Sequence, residues 1–598
     1  MEESVQKNLH ISVDMGSGGI KENYNVPESL VQYDTKIESD TEIILITPDM
    51  GKRTDNDPYF IPNLHNGLFR IHAFLQEMGI KSVMFNCDVD NLKKLWEGID
   101  KYHPPFIAFS PYYDSMRRDL ENINHVLEIS PESIIIAGGF EASLNPQWGK
   151  LGGLIDIIIR GEGELPLQKL IQIYDKFSNN KKIEKKKFLD YLKEETKINE
   201  ISGMSILEEN QTKPLAIVKE RISPEFYQEI SLNAFAKHLD LSPIGKYWEL
   251  SRLIFGGKKD SYFRFVSSDH CPYKCIFCQS SILFSGTMGT KTSPVRYINA
   301  ENILTIIEAV STTYPAMDIY IDDENFLVHP QRAIETLGMI IERKKSGKIR
   351  KNLKFQCRAR TDNIVSNPDI CRLLKEAGFE VVSVGSESYS LKELEYMRKK
   401  TSPEKNSEAI KIIVDNGLKA AENYILYTPA TTAETFYESA LGICYNIGEM
   451  NVDGAATLFL TPLPGTDIWG DGIYEVKRTF PYQQELFKDK VMFHNKQSGY
   501  DYIGEEIVVP KLNIIFPHPE ITLVNDSLMR TASIEALLHL PKAVEKLREI
   551  TKKSELSRNF VTLANLFATS EALYNLTDDP KWKDLEEKII RAAIKSKE

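Results

Sequence analysis

Twice along this chain of 598 residues, short apolar runs alternate with amphipathic helical stretches, and that alternation narrows the folds open to it. In the first stretch, about 42–176, the runs are Ile43–Ile46, Ser82–Phe85, Phe106–Phe109, Ile134–Ile136 and Ile157–Ile159. Each is nearly all apolar, as expected for strands covered on both faces of a parallel sheet. Between them lie patterns such as Leu68, Ile71, Leu75 and Met78, which share one helix face closed by Gly79. This predicts a doubly wound α/β domain of five strands, whose ligand sits beyond the carboxyl ends of the strands. Those ends read Thr47-Pro48-Asp49, Ser110-Pro111-Tyr112, Gly138-Gly139-Phe140 and Gly161-Glu162-Gly163-Glu164, with glycines where a backbone must come close to a bulky ligand.

Residues 260–470 alternate again. Candidate strands are Tyr262–Val266, Asp318–Ile321, Leu353–Cys357, Val381–Val384, Glu422–Tyr427 and Gly454–Leu460, with helical patterns between them. Six β/α units in about 210 residues predict a partial (β/α)6 barrel, short of the ~250 residues of a complete eight-unit barrel. Residues 177–258 form a linker region: a Lys- and Glu-rich solvated stretch to 200, then a connection broken at Pro243 and at Gly256-Gly257. From 476 onward the pattern is mainly helical, with apolar faces marked by Ile534, Leu537, Leu538, Val544 and Leu547 and an interruption at Pro541. The expected limits are an extension at 1–41, the first domain at 42–176, the linker at 177–258, the barrel at 259–475 and the C-terminal region at 476–598.

A formal charge of −12 argues against a nucleic-acid or anionic-membrane surface as the main partner. No apolar run approaches the ~18 residues of a membrane span, and the N-terminus MEESVQKNLHISVDMGSG is no secretory signal, so a cytoplasmic protein is expected. Seven cysteines in so long a chain exclude a disulfide scaffold. Cys87, Cys357, Cys371 and Cys444 fall in apolar or helical stretches, as small buried hydrophobes do.

The other three sit together in Ser268-Asp269-His270-Cys271-Pro272-Tyr273-Lys274-Cys275-Ile276-Phe277-Cys278-Gln279, directly after a strand. Three soft sulfur ligands without a fourth suit an iron–sulfur cluster that keeps one iron open. His270 offers a fourth ligand for a Cys3His zinc site, although its adjacency to Cys271 makes joint ligation awkward.

This C-x3-C-x2-C loop resembles the cluster motif of the radical S-adenosylmethionine (radical SAM) superfamily. The resemblance implies that Cys271, Cys275 and Cys278 hold a [4Fe–4S] cluster whose open iron chelates SAM, with Phe277 bordering the adenine. It further implies SAM contacts from Asp322, Asp323 and Glu324 after the second barrel strand, Arg358 and Arg360 after the third, and Ser386 and Glu387 after the fourth. Tyr427-Thr428-Pro429 and Thr461-Pro462-Leu463-Pro464-Gly465-Thr466 close the last two units. His270 departs from the Gly that many members carry.

The first domain, flavodoxin/Rossmann-like with Gly-Gly and Gly-Glu-Gly-Glu strand ends, resembles the cobalamin-binding subclass of that superfamily. The implied contacts are Pro48, Ser110, Gly138, Gly139, Gly161 and Glu162. No D-x-H-x-x-G sequence is present, and His65 and His72 are read as core or surface residues, so the resemblance implies base-off cobalamin without a histidine lower ligand. Together these resemblances imply a cobalamin-dependent radical SAM methyltransferase for an unactivated carbon of a small-molecule or natural-product substrate, with flavodoxin or ferredoxin as electron donor. Alternatives are a cyclase or rearrangement enzyme with the same cofactors, and a non-catalytic iron–sulfur and cobalamin sensor.

Overall fold

The computed structural model describes residues 8–14, 21–27, 36–50, 65–87, 90, 92–179, 181, 183–194, 201–209, 214–228, 232–241, 262–314, 317–470, 474–478, 487, 490–553 and 557–596. The breakers Pro243 and Gly256-Gly257 lie outside them. Two compact units divide the chain: Met1–Val266 with Ile282–Tyr320 and Ser346–Leu353, and Ser267–Ser281 with Ile321–Lys345 and Lys354–Glu598.

In the first unit, an antiparallel hairpin pairs β1 (Asn8–Asp14) with β2 (Lys21–Pro27). The larger sheet comprises β3 (Ile43–Ile46), β4 (Ser82–Phe85), β5 (Phe106–Phe109), β6 (Ile134–Ala137), β7 (Ile157–Ile159) and β8 (Met204–Ile206), in the order β4-β3-β5-β6-β7-β8. The five predicted strands are present and mutually parallel. Their continuous apolar character follows from helices on both faces, and β3, β5 and β6 are buried at every residue. The sixth strand, β8, runs antiparallel to β7; at three residues it is too short for a periodicity to show. Strand order reverses between β3 and β5, so the topological switch point lies where Thr47-Pro48-Asp49 and Ser110-Pro111-Tyr112 leave the sheet.

The second sheet holds β9 (Tyr262–Phe265), β10 (Asp318–Ile321), β11 (Phe355–Ala359), β12 (Phe379–Glu387), β13 (Lys419–Tyr427) and β14 (Asp453–Phe459), hydrogen-bonded in chain order. The pairs β11–β12, β12–β13 and β13–β14 are parallel. These are the six units expected, and the sheet stays open with β14 at one edge.

Beyond it stands an antiparallel meander that the sequence reading did not anticipate: β15 (Tyr474–Arg478), β16 (Val491–Asn495), β17 (Asp501–Val509) and β18 (Ile514–Thr522). Pro517 and Pro519 within β18 read against a strand, yet β18 is an edge strand, where missing N–H donors are tolerated. Three helices follow, Ser527–Thr551, Arg558–Thr577 and Lys581–Lys595, as the helical pattern predicts. The first continues through Pro541 rather than stopping there, because Ala536 on one side and Ala543 and Leu547 on the other are buried in the same core.

The middle helix is buried around most of its circumference and packs Phe560, Leu563, Leu566 and Phe567 with Tyr427, Phe436, Phe459 and Trp582. It also finishes the open edge of the barrel. Asn559 accepts from Gly454 N–H (2.6 Å) and donates to Val452 C=O (2.9 Å). Thr562 donates to Gly454 C=O (3.1 Å) and accepts from Ala456 N–H (3.2 Å). Two side chains thus take the place of a neighbouring strand on β14, which removes a template for aggregation. Asn559→Ala leaves a buried donor and acceptor unpaired and is expected to cost about 1–3 kcal/mol for each group, read as a lowered midpoint of urea unfolding.

Candidate active site

The three-cysteine loop is held from below before any ligand is considered. Asp323, fully buried just beyond β10, accepts hydrogen bonds from Ser267 N–H, Ser267 Oγ (2.7 Å) and Ser268 N–H (2.9 Å). Arg332 completes this base, reaching Asp323 with Nη2 (3.2 Å) and the Ser267 carbonyl with Nη1 (2.9 Å). Further along, Ile276 N–H donates to Met397 C=O (3.2 Å), Ile468 N–H donates to Ile276 C=O (3.4 Å), and Gln279 Nε2 donates to Pro464 C=O (3.0 Å). Phe277 packs against Leu394, Met397, Ile425, Leu460 and Ile468. The loop is therefore fastened at its start, its centre and its end.

Cys271, Cys275 and Cys278 are free and partly exposed. Burial raises the Cys271 thiol and pushes that of Cys278 up to about 12, so neither forms a thiolate without a cation to compensate it. A single tetrahedral zinc with Zn–S near ~2.3 Å would draw its sulfurs to about 3.8 Å of one another. Among the described residues, the only metal-ligating trio whose atoms lie within 4.8 Å is Glu505, His518 and Glu520, where Lys490 Nζ already stands 2.7 Å from Glu520. His270 is buried with Nδ1 2.6 Å from Asp269.

The other strand-end residues fall into two groups. Arg358 bridges Asp322 (2.9 Å) and Glu324 (3.8 Å), all three partly or well exposed. Asp323 and Ser386 have no free group: Asp323 is saturated by the loop, and buried Ser386 donates to Glu422, a buried carboxylate that also accepts from Tyr389 and Tyr424 (2.5 Å each) and Asn446 (2.8 Å). Glu387, at φ 60°, pairs with Lys399 at 2.7 Å, and a Cβ on Gly385 would run into both partners. Arg360 is tied to Asp362 (2.9 Å), to the Lys399 carbonyl and to the ring of Tyr273 (3.7 Å). Sequence reasoning missed Ser267, Arg332, Lys399 and Tyr273; none has a local signature, since each acts on a residue distant in the chain or through a turn only the fold creates.

At the switch point of the first domain, Pro48 and Ser110 are buried. Gly139 adopts φ 80°, and a Cβ there would lie 2.6 Å from Ser110 Oγ, so only glycine keeps this wall open. Gly138 stands close to the carbonyl of Ile159, and Gly161 has φ 81°. Glu162, by contrast, is occupied: Arg221 (3.1 Å), Arg296 (3.2 Å) and Ile222 N–H (2.9 Å) all bind its carboxylate. His72 is a core residue bonded to Ser82 Oγ (2.8 Å). His65 caps the helix Asn66–Glu77 through Nδ1, stacks on Tyr112 at 5.3 Å, and leaves a buried Nε2 without a partner. Burial lowers its pKa to about 4, so the ring is neutral. An orphaned polar atom beside a glycine-walled sheet edge fits a large polar ligand there.

Residues 64–171 match the family model for the B12 binding domain, and residues 265–441 that for the radical SAM superfamily. Among curated proteins, the chain is 23% identical over 375 residues to an uncharacterized methyltransferase of Pyrococcus horikoshii, covering 62% of this chain and 70% of that protein. It is 24% identical over 415 residues to the hopanoid C-3 methylase of Methylococcus capsulatus, covering 67% of each. It is 21% identical over 402 residues to the anaerobic magnesium-protoporphyrin IX monomethyl ester cyclase of Rubrivivax gelatinosus, covering 66% of this chain and 63% of that one. The fold is similar to that of OxsB, a cobalamin-dependent SAM radical enzyme solved with aqua-cobalamin and SAM, at a TM-score of 0.60 and 15% identity over 92% of this chain and 75% of that chain. No helix among the described residues is long and apolar enough to cross a membrane. With a B12-binding domain joined to a radical SAM domain, the chain belongs to the cobalamin-dependent radical SAM enzymes, whose cofactors are a [4Fe–4S] cluster, SAM and cobalamin.

Proposed function

We propose that this enzyme methylates an unactivated carbon of a small-molecule or natural-product substrate. The observation that carries the reading is the sulfur loop itself, three thiols fixed by a buried carboxylate on a chain that also holds a B12-binding domain. When bound, the cluster, SAM and cobalamin supply reductive sulfonium cleavage, a hydrogen-abstracting radical and a carrier for the methyl group. The protein's share is to bind, orient and keep dry.

In this proposal Cys271, Cys275 and Cys278 would hold the cluster as thiolates, their protons released to solvent. Asp322 and Glu324, both held by Arg358, offer carboxylates for the ammonium of SAM, and Phe277 offers an apolar ring for the adenine. Arg358 keeps Asp322 and Glu324 apart and oriented. Asp323 and Ser386, assigned to SAM from sequence, serve instead to hold the loops that carry it, because their polar atoms are already bonded. On the first domain, Pro48, Ser110, Gly138, Gly139 and Gly161 form the wall for cobalamin, and Glu162 ties Arg221 and Arg296 behind it. The reading includes a flavodoxin or ferredoxin donor, a cytoplasmic setting and the domain limits 42–176, 259–475 and 476–598.

Anaerobically reconstituted enzyme supplied with cobalamin, SAM, a reductant and substrate is expected to release 5′-deoxyadenosine and S-adenosylhomocysteine together. Deoxyadenosine without S-adenosylhomocysteine would replace methyl transfer by cyclisation or rearrangement, and neither product would mean no radical chemistry. Serine at any of the three cysteines is expected to abolish both. Asp323→Asn, which removes charge beneath the loop and leaves Arg332 uncompensated, is expected to weaken iron retention about 10–100-fold, measured as iron per chain after gel filtration.

A further inference from the structure

The place of Arg360 after β11 suggests a SAM contact, but its surroundings point elsewhere. The residue is 5% exposed. Its Nε donates to Asp362 Oδ1 (2.9 Å), and its Nη2 donates to Asp362 Oδ2 (3.3 Å) and to the Lys399 carbonyl. Its Cζ lies 3.7 Å from the ring centroid of Tyr273, inside the cysteine loop. With those atoms engaged, Nη1 stands 3.9 Å from Cys275 Sγ.

The carbonyl that fixes Arg360 belongs to an unusual turn. Arg398 and Lys400 adopt φ 52° and 55°, left-handed values that residues with a Cβ rarely take. That turn also presents the Met397 carbonyl to Ile276 N–H, between Cys275 and Cys278. Strain of this kind persists only where surrounding contacts impose it. One turn therefore sets both the cysteine loop and the guanidinium that faces its middle sulfur.

We propose that Arg360 is a positioning and tuning residue, donating a charge-assisted N–H···S hydrogen bond from Nη1 to the Cys275 thiolate and so raising the reduction potential of the cluster. The inference rests on the reading that Cys275 ligates a [4Fe–4S] cluster. Reduction adds an electron to a group that already carries negative charge, so a donor at the sulfur favours the reduced state; hydrogen bonds to cluster sulfurs and local net charge are two of the factors that set such potentials. The charged groups nearby are Asp362 on Arg360, Glu387 on Lys399, and the Arg358 group with Asp322 and Glu324. Arg360 with Asp362, and Lys399 with Glu387, are balanced pairs. Removing one member of the Arg360–Asp362 pair must therefore shift the local charge in a direction set by which member is lost.

The test is an anaerobic potentiometric titration of the cluster, followed by electron paramagnetic resonance, on the full-length reconstituted enzyme. Iron and sulfide per chain are measured first. Arg360→Gln is expected to disfavour reduction about tenfold, a midpoint lower by ~59 mV for one electron. Arg360→Lys keeps the charge without the planar fork or the Tyr273 stack and should lower it less. Asp362→Asn frees the guanidinium's charge and should raise the midpoint. Should Arg360→Gln fail to fold, Asp362→Asn decides alone. Unchanged midpoints at full iron content, or Arg360→Gln and Asp362→Asn shifting the same way, overturn the inference. Wild-type protein without a cluster would overturn the underlying reading instead.

Discussion

A buried carboxylate governs the rest of this structure. Asp323 gathers two backbone N–H groups and a hydroxyl from the start of the cysteine loop and is balanced by Arg332, which also holds the Ser267 carbonyl. A buried charge with all its lone pairs engaged is costly to disturb, since taking away one partner leaves the other uncompensated in a dry interior. The loop is thereby organised before a cofactor arrives. Preorganisation of this kind lets binding energy go into holding a cluster and its cosubstrate rather than into ordering chain.

The same logic recurs at other strand ends. Glu422 is solvated by Ser386, Tyr389, Tyr424 and Asn446, and Glu393 by Thr428 and Thr435, so that buried acids fasten the carboxyl-end loops of β12 and β13. At the opposite concern, the exposed edge of β14, Asn559 and Thr562 supply the hydrogen bonds that a seventh strand would have made. The helical region after the meander thus has an architectural role that explains why an open barrel can persist without closing. In the first domain, a tight Gly139–Ser110 approach does for the ligand wall what these acids do for the loops: it keeps bulk out of the place where a ligand belongs.

Much of this was legible in the residues. The apolar runs at 43–46, 82–85, 106–109 and 157–159 are strands at those positions, because burial on both faces writes itself directly into composition. The barrel strands are only half-buried, as the alternation along Tyr262–Phe265 and Phe355–Ala359 shows, and were visible as short β-rich runs between helical patterns. The meander was not, since β17 carries the adjacent, half-buried Glu505 and Glu506 and β18 carries two prolines, which read as breaks rather than as strands. Strand-end position located the site but not the roles within it. Asp322 and Asp323 are adjacent, yet one is half-buried facing Arg358 and the other is fully buried under the loop; nothing local tells them apart, because Ser267 lies 56 residues away. Arg360 is similar: the contact that defines it spans 85 residues, and its fixing carbonyl sits in a strained turn with no sequence signature.

The most direct measurement of the central claim is the resonance spectrum of the reduced, anaerobically purified enzyme with and without SAM. A cluster held by three sulfurs, with one iron open to the cosubstrate, predicts a [4Fe–4S] signal whose g-values move when SAM is added. A signal indifferent to SAM, or iron-free protein with none at all, would contradict it.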